Sequence, residues 1–173
     1  LLSLSPWPTY EEAKTVDATV EVAVQINGKL RDVITLPMNC AREDAIAALA
    51  KAMEDNKFIA NADNLVSQAM ERESILSTAI GDGIAFPHVR GVEGGGLTLA
   101  MGISQKGIDW DGEKVNIVVL SAIPLAAAAF YLRLLSNLIQ TFTKDANRKL
   151  LLDSKNAASL WKALCKSTRA TVK

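Results

Sequence analysis

Apolar residues alternate with polar ones at Val20, Val22, Val24 and Ile26, and again at Leu30, Ile34 and Leu36 beyond an Asn27-Gly28 pair. A period of two on both sides of such a pair predicts a β-hairpin. The apolar positions are even-numbered on both arms, whereas a two-residue turn would pair Ile26 with Lys29 and set even opposite odd. The phase therefore predicts a three-residue loop with Gly28 as a left-handed bulge, pairing Val24 with Leu30 and Val20 with Ile34. Further along, the period lengthens. Ile46, Leu49, Ala50 and Met53 share one helical face, behind Asn39 as an N-cap, with Glu43 and Asp44 placed to complement the helix dipole. A second helix, capped by Asp63, buries Leu65, Val66, Ala69 and Met70. Leu97 to Ile103 and Val115 to Ile123 read as strands, the second a near-continuous apolar run of the kind covered on both faces. Gly107 to Gly112 is the turn-rich connection between them, and Leu125 to Phe142 and Asn156 to Cys165 are helical. Strands alternating with helices predict an α/β sandwich, a mixed sheet with flanking helices, plus the N-terminal β-hairpin.

Composition narrows the function. With 173 residues, 49% of them hydrophobic, the chain has the makings of one ordinary domain and a small appendage. Nineteen basic residues balance nineteen acidic ones, so there is no global field to hold nucleic acid or an anionic membrane. A local excess from Lys144 to Lys173, including Lys162, Lys166 and Arg169, reads as solvated helix faces. Cys40 and Cys165 are too few for a disulfide framework or a metal site, and a reducing cytoplasm suits them. The run Ile117 to Leu132 is short of the roughly 20 apolar residues a span needs and contains Pro124. It reads as core, without direct membrane insertion. The opening Leu1-Leu2-Ser3, with no initiator Met, suggests a piece of a longer polypeptide.

The chemistry concentrates between the second helix and the Leu97 strand. There the chain carries Arg72-Glu73, Ser77-Thr78, Gly81-Asp82-Gly83 and Ile84-Ala85-Phe86-Pro87-His88. In order and spacing these residues resemble the signature of EIIA domains of the fructose/mannitol/nitrogen-regulatory type (type 2) in the phosphoenolpyruvate-dependent phosphotransferase system. Ile108-Asp109-Trp110 resembles that family's apolar-Asp-aromatic turn, and the likeness runs from about Asp63 to Lys166. It implies an EIIA-like sandwich and a phosphohistidine carrier or regulatory module in which His88 accepts the phosphoryl group. An imidazole suits the task, being a nucleophile near neutral pH that forms a labile N–P bond. The resemblance also implies an HPr-type phosphocarrier protein as donor and an EIIB acceptor. Arg72 would pair with the incoming phosphoryl group, and the Thr78 hydroxyl would orient the ring or donate to a phosphate oxygen. Gly81 and Gly83 would let backbone N–H groups converge on the phosphate. Tyr131 takes the place of a second histidine that opens the family's Leu-rich helix, and Val89 adds bulk where the family usually has a small residue. No nucleotide loop or carboxylate cluster calls for a cofactor, and no metal is implied.

A second resemblance covers about residues 5 to 37. Trp7-Pro8-Thr9-Tyr10-Glu11-Glu12-Ala13, then Val24-Gln25-Ile26-Asn27-Gly28-Lys29-Leu30-Arg31, is similar to the C-terminal extension of bacterial leucyl-tRNA synthetases, which helps hold tRNA. Residues 1 to 60 carry nine acidic and six basic residues, which favours a structural role over gripping a phosphate backbone. The two resemblances divide the chain at about Pro37, into a synthetase-like hairpin segment, 1–37, and an EIIA-like domain, 38–173. They also leave an alternative function, a non-catalytic appendage of a leucyl-tRNA synthetase-like protein, associated with tRNA or serving as an interaction scaffold.

Overall fold

The computed structural model describes residues 19–26, 29–37 and 40–171. Trp7 to Ala13, the Asn27-Gly28 pair and Asn39 lie outside them. The predicted hairpin is present as antiparallel β1 (Thr19–Ile26) and β2 (Lys29–Pro37). Its register differs from the expectation: Ile26 pairs with Lys29 and Gln25 with Leu30, and a shift between Ala23 and Gln25 then brings Val22 opposite Ile34 and Val20 opposite Leu36. One extra residue in β2, where Arg31 and Asp32 stand opposite Val24 alone, resolves the even-against-odd conflict, since an extra residue within a strand moves the phase as effectively as one in the loop. β1 also pairs with β5 (Thr98–Trp110), from Ala23 opposite Ile103 to Ile26 opposite Ala100. The hairpin thus extends the main sheet.

Helix α1 (Arg42–Asp55) buries the expected stripe of Ile46, Leu49, Ala50 and Met53. Its N-cap position is Ala41 in place of the expected Asn39, and the Ala41 N–H donates to the Asp44 carboxylate at 2.9 Å. Helix α2 (Ala62–Ile75) is capped by Asn61, which accepts from the Asn64 N–H at 2.8 Å; Asp63 sits in the first turn instead. The helix continues past Arg72 and Glu73, which the sequence had suggested for the connection.

The segment carrying His88 forms two short strands, β3 (Ile84–Ala85) and β4 (His88–Arg90), that were not anticipated. Both pair in parallel with β6 (Glu113–Ile123) at one constant offset, Ile84 opposite Ile117 and His88 opposite Ser121. They are one strand, broken at Phe86-Pro87. Pro87 has no N–H to offer, and the Phe86 N–H turns away to the Thr78 carbonyl at 3.1 Å. The sheet order is β2-β1-β5-β6-β3, with β4 also on β6. β5 runs to Trp110, so the expected connection over Gly107 to Gly112 shrinks to Asp111 and Gly112, both with positive φ, between the paired Trp110 and Glu113.

After Pro124 and a short 3-10 turn come α3 (Ala128–Phe142), an unanticipated α4 (Asp145–Leu152), and α5 (Ala157–Thr168), capped by Asn156. Val118, Leu120 and Ala122 of β6 join the core cluster that holds the buried residues of α1 and α2. Ile117 and Val119 join the cluster holding Leu138, Phe142, Leu151 and Leu160 from α3, α4 and α5. A strand covered on both faces is apolar throughout, which is why β6 shows no alternation. The α/β sandwich with a mixed sheet is therefore observed. Leu125–Phe142 is apolar and long enough to cross a membrane, and in this structure it buries Tyr131, Leu138 and Phe142.

Leu120 is fully buried, while Leu125 is 80% exposed. Leu120→Ala is expected to cost about 2–5 kcal/mol, and Leu125→Ala about 0.5 kcal/mol or less, in urea unfolding followed by circular dichroism.

Candidate functional site

His88 opens β4 and is half-buried. Its Nδ1 lies 3.0 Å from the Phe86 carbonyl oxygen. A carbonyl only accepts, so Nδ1 carries the proton and Nε2 holds the lone pair. Burial pushes the imidazole pKa below its ordinary value. The hydrogen bond to Phe86 opposes that fall, Arg72 and Arg90 add to it, and Glu73 pulls back the other way. The ring is accordingly neutral near pH 7, the form that acts as a nucleophile.

A cleft of about 480 Å³ brings His88, Val89 and Arg90 of β4 together with Gln68, Glu71, Arg72 and Ile75 of α2. Arg72 donates one hydrogen bond to the Leu76 carbonyl at 2.9 Å, and its planar fork has further donors. Arg90 is a component that the sequence reading missed. The signal was the His-x-Arg spacing, because alternate residues of a strand share a face, but it becomes visible only once His88 is known to lie in a strand. Two guanidinium groups beside a neutral imidazole make a receptor for an anion with spread charge, such as a phosphoryl group. Among the described residues, no group of three or more His, Cys, Asp or Glu side chains is arranged to hold a metal ion.

Tyr131 reaches the ring from α3. The two ring centroids are 5.7 Å apart with planes at 44°. Tyr131 is 1% exposed, and its hydroxyl and Ser121 Oγ are both buried. Burial pushes the phenol pKa up, with Ser121 and then Arg90 acting against it. It is a neutral donor beside the imidazole.

The other residues expected at the site stand elsewhere. The Thr78 hydroxyl donates to the Glu73 carboxylate, which also accepts the Thr78 N–H at 3.0 Å, so this hydroxyl is not aimed at the ring. Gly83 offers its carbonyl, not its N–H, to Asn116 and Ile117 at 2.7 and 3.0 Å. Asn116 lies five residues along β6 from Ser121, the partner of His88, which is about 16 Å of strand. Gly81 accepts from the Ile84 N–H. These glycines shape the turn leading into β3 and do not converge on His88. Val89 is buried in the core cluster with α1 and α2, so its bulk is turned inward from the surface that a docking protein would meet.

A profile of the family described as "Phosphoenolpyruvate-dependent sugar phosphotransferase system, EIIA 2" matches residues 30–167. The chain belongs to this EIIA family. As an EIIA domain it has a phosphocarrier role in the phosphotransferase system. It is 32% identical over 125 residues to the mannitol-specific phosphotransferase enzyme IIA component of Staphylococcus aureus, covering 69% of this chain and 82% of that protein. Among solved structures, the nitrogen regulatory protein IIA-Ntr of Neisseria meningitidis superposes with a TM-score of 0.64 at 22% identity, over 72% of this chain and 87% of that one. Enzyme IIAMTL of Escherichia coli, in its complex with phosphorylated enzyme IIBMTL, superposes with a TM-score of 0.58 at 13% identity, over 73% and 89%. These two likenesses establish the EIIA fold. A separate match is to the leucine–tRNA ligase of Sorangium cellulosum, 40% identical over 75 residues, which are 38% of this chain and 9% of the ligase.

The placement of the glycines in this EIIA domain is testable. A Cβ on Gly81 meets nothing within 4 Å, whereas one on Gly83 lies 2.9 Å from Asn116 Oδ1. That amide is held by its bonds to the Ser104 and Gln105 carbonyls. Gly81→Ala should cost about 1–2 kcal/mol for its left-handed backbone, and Gly83→Ala about 1–3 kcal/mol beyond that for displaced hydrogen bonds. Urea titration measures both, and the folded fraction of each variant should keep its full capacity to take up phosphate.

Proposed function

We propose that Nε2 of His88 accepts a phosphoryl group from an HPr-type phosphocarrier protein and passes it to an EIIB-type acceptor. The observation that carries this is the Nδ1–H hydrogen bond to the Phe86 carbonyl, which leaves Nε2 with its lone pair beside the Arg72 and Arg90 cleft. In the forward step the Nε2 lone pair attacks phosphorus as the donor's N–P bond breaks, and the donor imidazole leaves with the electron pair. His88 keeps its Nδ1 proton, so the phosphorylated ring is a cation whose charge Phe86 stabilises. A cationic ring is also a good leaving group for the return step. Arg72 and Arg90 balance the charge on the three phosphoryl oxygens, and Tyr131 packs against the imidazole.

Exposed apolar side chains offer a docking rim, with Ile75 and Leu76 at the end of α2 and Leu125 beside Gly91, just after β4. The complex of the Escherichia coli neighbour supports EIIB as acceptor, and both partners would place the reaction in the cytoplasm. The division into 1–37 and 38–173 belongs to the same proposal, as a division of sequence origin. The ligase match supports a second reading, a C-terminal appendage of a leucyl-tRNA synthetase-like protein, with tRNA as the partner.

Incubation with phosphoenolpyruvate, Enzyme I and an HPr-type donor should add one acid-labile phosphate, read by intact mass, and His88→Ala should add none. A folded wild type that stays unmodified by every donor tried would sink the proposal. Arg72→Ala or Arg90→Ala should slow uptake about 100-fold.

The pH dependence has a definite sign. The neutral ring reacts, and its pKa is depressed, so acid removes the nucleophile only below the ordinary histidine value of about 6.5. Single-turnover uptake from pre-phosphorylated donor should stay level from about pH 8 to 6.5 and fall at lower pH.

A further inference from the structure

Glu73 is a buried ionisable side chain for which phosphoryl transfer at His88 has no direct use. It is 3% exposed, in the last turn of α2, and makes no ion pair among the described residues. Burying a carboxylate without a cation is costly unless donors replace its water. Three do: the Thr78 N–H at 3.0 Å, the Thr78 hydroxyl, and Trp110 Nε1–H at 3.4 Å. The backbone amide and the indole can only donate, so Oε2 is used as an acceptor. A leucine would fill this space without the desolvation cost, which raises the question of what the carboxylate holds in place.

The neighbouring bonds answer it. Thr78, fixed by Glu73 at both its N–H and its hydroxyl, presents its carbonyl to the Phe86 N–H at 3.1 Å. An isolated bridge between Ala79 and Ala85 ties the same two segments together. Phe86 in turn presents its carbonyl to His88 Nδ1 at 3.0 Å. Phe86 lies where the strand against β6 is interrupted, so the Thr78 carbonyl, in place of the ladder, holds its backbone on the N–H side. We propose that Glu73 is a positioning residue for phosphoryl transfer, setting the orientation and tautomer of His88 through Thr78 and Phe86. This rests on His88 Nε2 being the acceptor. The carboxylate touches neither ring nor phosphate; it decides which ring nitrogen is free.

The test combines two measurements on the full chain: the His88 tautomer, from 15N imidazole shifts, and the single-turnover rate of uptake from a phosphorylated HPr-type donor. Wild type should show one tautomer, with hydrogen on Nδ1. Glu73→Leu removes the acceptor for all three donors and should give a mixture of tautomers and at least a tenfold loss of rate, in a protein that still unfolds cooperatively. Thr78→Val keeps the fold's backbone bonds but removes one anchor and should move both readouts the same way, while Thr78→Ser should restore both. If Glu73→Leu does not fold, the two Thr78 variants decide. Variants with wild-type tautomer and wild-type rate overturn the proposal, leaving Glu73 as core adhesive. A rate loss without a tautomer change, or the reverse, overturns it too. If wild type takes up no phosphate, the assignment of His88 as acceptor fails, and the tautomer shifts alone still decide whether Glu73 sets the ring.

Discussion

The structure turns on a strand that is interrupted without losing register. β3 and β4 keep the same offset against β6 on both sides of Phe86-Pro87, so the break neither tilts nor shifts β4. Pro87 still gives its carbonyl to the Ser121 N–H at 3.0 Å, which anchors the peptide directly before His88. Phe86, freed from the ladder, can aim its carbonyl at the imidazole. An unbroken strand would commit that carbonyl to the sheet or to solvent, and it would fix neither the orientation nor the tautomer of the ring. The break therefore supplies a fixed acceptor for Nδ1 while the ladder supplies the stiffness. Both are needed, because a nucleophile gains most when its geometry is settled before the partner arrives.

That geometry suits an electrostatic setting that would otherwise look hostile. Two arginines and partial burial all disfavour a charged imidazole, and the same arginines favour a doubly charged phosphoryl group. The free site is thus balanced toward a neutral ring, the form that can act as a nucleophile. The contribution of Glu73 to the ring has the opposite sign and is the smallest of those acting on it. This agrees with a role exerted through bonds. Tyr131 fits the same logic: a phenol made harder to ionise by burial packs against the ring without adding negative charge beside it.

Much of the fold could be read from periodicity. The stripe of α1 and the apolar run of β6 appear in the structure because each is set by which face is covered, and the hairpin is present as two paired strands. What could not be read depended on partners distant in sequence. β3 and β4 total five residues, too short for any period, and exist because β6 lies alongside. The register of the hairpin differs from the expected one because a phase change can be placed in the loop or in the strand, and pattern alone does not choose. At the candidate site, His88, Arg72 and Tyr131 are expected from the resemblance and do lie near one another, but a motif orders residues along the chain without saying where they point. Thr78 and the two glycines share that motif but serve the peptide behind the ring and the turn into β3. Their residue types fit either task, since a hydroxyl near a carboxylate and a glycine with positive φ are as useful in scaffolding as in anion binding.

The hairpin raises the last physical question. The family match begins within β2, yet β1 is the strand that meets the rest of the sheet, pairing with β5 from Ala100 to Ile103. Without β1 that length of β5 would present unpaired N–H and C=O groups at an edge, next to the β6 strand that carries the His88 ladder. Exposed edges invite pairing with other chains, and a two-stranded unit alone is barely stable. Each therefore completes the other, and α5 packs against both β1 and β2 to hold the junction. Whatever the origin of residues 1–37, β1 and β2 cannot be treated as an independent attachment with a separate folding equilibrium. A function that required the hairpin to detach and grip another molecule would expose the β5 edge, so a scaffolding role within the EIIA sheet is the one that the strand order favours.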